Sequence, residues 1–261
     1  MRLHVSSSIS NFKEKLEKRY ADYELWSLAA LWESALFVGM YHIGDYLRFA
    51  IHRGPKTIFW AGSDILNVNW MNFMVFGATH YCENEVEQAA LYERGIIAEV
   101  HPMIFDDMST YEVCYKQSNA PYVFLCAHKG REKEYGVDTV ERIAQYVPEV
   151  TFVIYGISGT SENPNVFYRG RVSEEDFERE ISYYQGVLRL NSFDGFGECV
   201  AKAILMGQYP ITSIKYPHIA QETGDESLLA FLRMLKCKSK PNPSSEYWRK
   251  QLCKRIEAPL S

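Results

Sequence analysis

Asp194, Gly195, Phe196, Gly197 and Glu198 stand where an apolar run ending at Leu190 gives way to a helical run that stops at Gly207. A strand, a tight glycine turn and a helix in that order point the turn's backbone N–H groups and the helix's positive end the same way. A phosphate binds such a place without any side chain. A second candidate set is the mixed-charge loop His128, Lys129, Gly130, Arg131, Glu132 and Lys133, which follows the apolar run 122–126. On an exposed turn its ion pairs would contribute under about 1 kcal/mol each. At the carboxyl end of a buried strand, however, a loop lies where open α/β sheets hold ligands. Arg189 interrupts the otherwise apolar run 187–190, so its guanidinium needs a carboxylate such as Asp194 or a ligand phosphate.

Alternating strand-like and helix-like runs must position these residues. Strands are expected at 36–40, 57–60, 78–81, 122–126, 151–155, 166–168 and 187–190, several of them continuous apolar runs suited to buried parallel sheets. Helices are expected at 11–20, 44–52, 83–94, 138–146, 174–184, 198–206, 226–235 and 246–256. The class is therefore α/β, with parallel sheets covered by helices. The polar stretch 106–120 is the best boundary, giving domains 1–115 and 116–240. The linker 238–244, with two prolines, sets off a C-terminal segment 241–261 expected to pack back on the domains. Two such domains would face each other across a cleft.

Composition narrows the function. Among 261 residues, 28 Lys and Arg stand against 33 Asp and Glu, a net charge of -5 that gives no general reason to expect nucleic acid. Any anion site must be local. The six cysteines are scattered without a CxxC pair, which argues against a zinc knuckle or redox dithiol. No apolar run is long enough to span a bilayer, and the first ten residues lack a signal peptide's pattern, so a cytoplasmic location is expected. The segment 11–20, NFKEKLEKRY, could touch anionic headgroups, although Glu14 and Glu17 weaken its positive face.

Taken in order, the motifs resemble the retaining nucleotide-sugar glycosyltransferases of GT-B fold, the large group 1 family, over about residues 36–211. The likeness is carried by VFLCAHKGREKEYGVDTVERIA, by FVIYG ending at Gly156, by NVFYRGRV with Gly170 and Arg171, and by the DGFG helix start. TIFWAGSDIL is a shorter echo in the first half, with Gly62, Ser63 and Asp64 on the acceptor side together with His42. The resemblance implies two Rossmann-like domains facing a cleft, the first shortened. It implies a nucleotide-sugar donor as substrate, a carbohydrate or lipid-linked acceptor, retention, and no metal or other cofactor. The implied donor cradle is the backbone of Gly195, Phe196 and Gly197 with Glu198. Lys129, Lys133, Arg131 or Arg189 back it, and Asp194 lies near the sugar hydroxyls.

Three positions depart from that pattern. The family's second glutamate, eight residues beyond the first and facing the ribose, is Lys202 here; a cation cannot accept those hydrogen bonds. The family's Lys-Gly pair is Tyr135-Gly136, and the histidine before Gly-x-Asp is Ala61. Lys202 would then either reach a phosphate or be a solvated charge. Asp64 would serve equally as a helix cap, and His42 as a hydrogen-bonded structural residue. A catalytically silent GT-B-like partner, or an α/β enzyme of other chemistry using the same cradle, remain open alternatives.

Overall fold

The computed structural model describes residues 1–70 and 74–256, leaving aside the side chains of 68–70. Contacts divide the chain into two units. Unit 1 is Met1–Met108 with Phe193–Phe196 and Leu252–Ser261, and unit 2 is Ser109–Ser192 with Gly197–Gln251. The dividing line thus falls inside the DGFG motif. Of the segment 241–261, residues 257–261 lie outside the described part.

Unit 1 is built on six parallel strands, β1 (Arg2–Val5), β2 (Glu24–Leu25), β3 (Ala35–Val38), β4 (Lys56–Phe59), β5 (Thr79–Cys82) and β6 (Glu99–Val100), in the order β2-β1-β3-β4-β5-β6. Its helices are α1 (Lys13–Arg19), α2 (Ile43–Ile51) and α3 (Glu85–Tyr92). All four residues of β3 are buried because the sheet is covered on both faces. Successive side chains go to opposite cores: Ala35 and Phe37 join Phe49 and Trp60, while Leu36 and Val38 join Leu3, Leu16 and Tyr20. Buried Asp45 at the start of α2 ties this helix to the first strand. It accepts hydrogen bonds from Ser6 Oγ (2.7 Å) and from the Tyr41 and His42 N–H groups, and lies 2.8 Å from His4 Nε2.

Unit 2 repeats the plan with β7 (Tyr122–Cys126), β8 (Thr151–Tyr155), β9 (Val166–Gly170), β10 (Gly186–Arg189), β11 (Tyr209–Thr212) and β12 (Ala220–Gln221), again all parallel. The order is β12-β11-β10-β7-β8-β9. Its helices are α4 (Val137–Ile143), α5 (Glu174–Ile181), α6 (Glu198–Leu205), α7 (Asp225–Leu235) and α8 (Ser245–Leu252). From β7 the chain builds outward through β8 and β9, then returns to place β10 on β7's other side. The direction of winding reverses between β7 and β10, and ligands of doubly wound sheets bind at the carboxyl side of such a reversal. After the linker, α8 packs on unit 2: Trp248 is buried with Nε1 donating to the Pro217 carbonyl (3.1 Å), and Arg249 Nη2 donates to the Leu205 carbonyl (3.2 Å).

The seven expected strands all form, two of them with the expected ends and the others shifted by at most two residues. Five more were not anticipated. Strands β2, β6 and β12 have two residues each, too few to carry a period. RLHV of β1 mixes polar and apolar residues. In β11 the obstacle is Pro210, which normally argues against an interior strand. Here Tyr209 N–H donates to Gln185 O in front of β10, so alternation turns Pro210 away from β10 toward β12. The β11–β12 register starts only at Ile211, where it meets Ala220, so no ladder bond is lost.

Candidate functional site

The reversal point of unit 2 brings the two sequence motifs to adjacent strand ends. The loop after β7 carries Lys129 and Lys133, both exposed, and Arg131, which pairs with Glu134 (2.6 Å) in an exposed ion pair. With Gly130, Glu132, Leu190 and Ser192, this loop lines a cavity of about 470 Å³. Buried Tyr135 lies under the loop. The Arg131 guanidinium stands 5.3 Å and the Arg189 guanidinium 4.7 Å from its ring centroid. Arg189, the last residue of β10, also reaches the start of α6, since a Cβ placed on Gly197 would lie 3.5 Å from its Nε. Gly197 caps α6 at a φ of 70°, with no side chain of its own to accept from the helix, and Glu198 follows it in the first turn. Two guanidiniums on one ring and a helix N-terminus therefore converge. Guanidiniums and a helix N-terminus carry the same sign of charge, so the arrangement suits an anion. The tyrosine that replaces the family's lysine positions two arginines here.

Lys202 behaves differently from either sequence expectation, because α6 is buried from Cys199 to Leu205 and its lysine is 3% exposed. The ammonium donates to Glu178 Oε1 (2.6 Å) and Glu174 Oε1 (3.0 Å). These carboxylates are four residues apart on α5, hence on one face, and α5 is fixed by Ser173, whose Oγ accepts from Asp176 N–H. Burial pulls the ammonium's pKa down, but the bonds to Glu178 and to Tyr111 outweigh it and hold it well above the ordinary lysine value. Lys202 is therefore a charged, buried anchor between α5 and α6, not a solvated charge.

In unit 1 the DGF turn has a partner that the sequence did not reveal. Asn84 caps α3, its Oδ1 accepting from the Val86 and Glu87 N–H groups at 3.0 Å each, and its Nδ2 donates to the Asp194 carbonyl at 2.7 Å. Glu83 Oε2 accepts the Phe196 N–H at 3.1 Å. The approach is so close that a Cβ on Gly195 would fall 1.7 Å from the same oxygen and would push the Glu83 carboxylate aside. The turn thus holds a carboxylate oxygen, and in this structure it is the chain's own. Behind it, Glu87 Oε2 accepts the Glu83 N–H (2.7 Å), while Glu87 Oε1 is buried without a hydrogen bond. Burial, then the charge of Glu83, push the Glu87 pKa well up. Glu83 and Asn84 were legible only as a helix start, since their partners on the turn lie more than a hundred residues away.

On the neighbouring strand end, Asp64 is fully buried. Its Oδ2 accepts from Met40 N–H (2.9 Å), and Ala61 N–H approaches both of its oxygens at 3.1 and 3.3 Å. It therefore fastens the ends of β3 and β4. Gly62 is buried beside it and Ser63 is exposed. Burial pushes the Asp64 carboxyl up to about 7. Between an ordinary value of about 4 and about 7 the folded state keeps a proton that the unfolded chain has lost, so stability falls as pH rises through this window. Glu87 adds to the same trend. The urea midpoint is expected to be higher near pH 5 than near pH 8, and Asp64→Asn should flatten that difference. An unchanged pH slope in the variant would contradict the assignment.

The remaining candidates are dispersed. His42 is exposed ahead of α2, with Nε2 2.6 Å from Ser8 Oγ. Gly156 follows β8, Gly170 ends β9, and Arg171 is exposed just beyond it. All six cysteines are free thiols.

The paired parallel sheets have counterparts among solved structures. HepE from Anabaena, solved with UDP-glucose, superposes with a TM-score of 0.66 at 12% identity, over 96% of this chain and 95% of that one. Pneumococcal O-GlcNAc transferase GtfA, solved with UDP and GlcNAc, gives 0.56 at 12% identity, over 86% and 55%. The chain has the GT-B fold. A third GT-B structure, sucrose-phosphate synthase from Thermosynechococcus elongatus, gives 0.55 at 12% identity, over 95% and 71%. The chain spans only about half the length of GtfA and of Staphylococcus aureus TarM, 55% and 51%, but almost all of HepE. No family model and no curated protein matches the sequence. In GT-B terms the two doubly wound sheets are the two Rossmann-like halves, and unit 1 is the shorter. No helix among the described residues is long and apolar enough to cross a membrane.

Proposed function

We propose that this chain is a glycosyltransferase that moves a sugar from a nucleotide donor, of the UDP-sugar type held by HepE, to a carbohydrate or lipid-linked acceptor. The observation that carries the reading is the convergence of Arg131, Arg189 and the α6 N-terminus at the reversal point of unit 2. In the reaction, the bond between the sugar's anomeric carbon and the diphosphate breaks and a bond to the acceptor oxygen forms on the same face. The acceptor's proton passes to the leaving phosphate. Fresh negative charge collects on that phosphate, and fixed donors aimed at it supply the rate enhancement. Arg189 and the helix end meet the charge directly. Arg131, in an exposed ion pair worth under about 1 kcal/mol, can leave Glu134 at little cost, and Lys129 and Lys133 extend the basic edge.

Asp194 is assigned to the sugar hydroxyls, with Gly195 and Phe196 shaping the turn, and Gly156, Gly170 and Arg171 border the nucleotide side. Gly62, Ser63, Asp64 and His42 mark the acceptor side. Cationic donors fill the role a divalent ion would otherwise take, so no metal is assigned. A cytoplasmic setting, with weak contact of α1 to a membrane face, belongs to the same reading. Lys15 and Lys13 of α1 are engaged with Asp106 and Glu17, which keeps that contact weak.

One observation favours the catalytically silent alternative: Glu83 occupies the turn that a ligand would use. The two readings part in one assay. Incubating the full chain with a panel of nucleotide sugars and carbohydrate acceptors is expected to release nucleoside diphosphate from one donor class, undiminished by EDTA and with the anomeric configuration kept. Binding of a nucleotide without release would favour the silent partner.

A further inference from the structure

We propose that unit 2 carries a second binding site, for a neutral oligosaccharide chain, along its β9 edge. A cavity of about 670 Å³ opens there, lined by Tyr122, Phe167, Tyr183 and Tyr184 with Arg169, Arg179 and Glu180. The cavity runs from Tyr122 and Thr151, which begin β7 and β8, along Phe167 to Arg169 of β9 and onto the last turn of α5. It shares no lining residue with the cavity at the basic loop.

Three rings are unusually open for their size: Tyr183 is 63%, Phe167 54% and Tyr122 45% exposed. The setting of Tyr122 is firm. Tyr122 stacks on Tyr184 at 5.9 Å with planes 21° apart, Tyr155 Oη lies 2.7 Å from Tyr184 Oη, and Tyr155 also donates to Glu180 Oε2 at 2.7 Å. Preset rings take an incoming ring at little entropic cost.

The chemistry of the lining selects the occupant. Arg169 is held by Glu180, its Nη2 2.7 Å from Oε1 and its Nε 3.1 and 3.2 Å from the two oxygens, and Arg179 pairs with Asp176. With each cation matched, the cavity offers an anion little net attraction. An apolar helix would cover tyrosine hydroxyls and charged pairs without replacing their hydrogen bonds. A neutral sugar chain presents both surfaces required: C–H faces for the rings and hydroxyls for the guanidinium and carboxylate edges. This site goes beyond the transferase reading and gives a growing glycan a holding point away from the reacting end.

The test uses the full chain with maltohexaose and cellohexaose as probes, read by saturation-transfer NMR. At least one hexaose is expected to bind, and the surface double variant Phe167→Ala, Tyr183→Ala should weaken it at least about tenfold. UDP binding, followed separately by thermal shift, should not move. The proposal is overturned if neither hexaose binds the wild type, if the double variant binds equally well, or if sedimentation shows a wild-type dimer that the variant dissolves. Loss of UDP response with hexaose binding intact would instead count against the transferase reading alone.

Discussion

Replacing Lys202 with glutamate is expected to unfold unit 2 rather than to restore a sugar-nucleotide contact. The substitution deletes the ammonium that Glu178 and Glu174 share, and it puts a third carboxylate among them inside a helix buried from Cys199 to Leu205. Removing one partner of a buried pair costs about 3–5 kcal/mol, and like charge adds to that. A fall in melting temperature of roughly 10 °C or more follows for a domain of this size. Lys202→Met removes the charge without adding repulsion and should fall less, because Glu174 is exposed and Glu178 half-buried, so water can serve both. A Lys202→Glu protein that melts with the wild type would contradict the anchor role. By sequence alone this substitution looked like a way to recover a ribose acceptor; the buried pair turns it into a test of folding.

The contrast shows what the residues disclosed and what they withheld. Long apolar runs such as Tyr122–Cys126 and Thr151–Tyr155 announced themselves, because burial on both faces of a parallel sheet leaves no room for polar residues. The parallel α/β class followed from their alternation with helices. The ordered motifs found the strand ends at which the basic loop and the glycine turn meet. What could not be read was pairing across sequence distance. Nothing near Tyr135 says that its ring lies beneath Arg189, and nothing near Phe196 says that Glu83 accepts its N–H. Lys202 read equally as a phosphate ligand or a solvated charge because its partners sit on another helix. Pro210 hid a strand whose missing donor happens to face an unpaired edge.

Arg189→Met is expected to have the largest effect on ligand binding. Its guanidinium joins β10, the Tyr135 ring and the start of α6, where a diphosphate would meet positive charge from three sources. A hydrogen bond to a charged group contributes about 2 to 3 kcal/mol, so losing it should weaken diphosphate binding about 30- to 150-fold. Methionine keeps the apolar contact with the ring, and the melting temperature without ligand should change little by comparison. Arg189→Lys, which keeps the charge but loses the guanidinium's contact with the Tyr135 ring, should fall between the two. A variant that binds as tightly as the wild type would remove Arg189 from the site.

Calorimetric titration of the wild-type chain with UDP, alongside Arg189→Met, tests the central claim most directly. Saturable binding of UDP that the substitution weakens by the factor above is the predicted result. No heat from UDP or any other nucleoside diphosphate with the folded wild-type protein would contradict the claim that the reversal point of unit 2 is a sugar-nucleotide site.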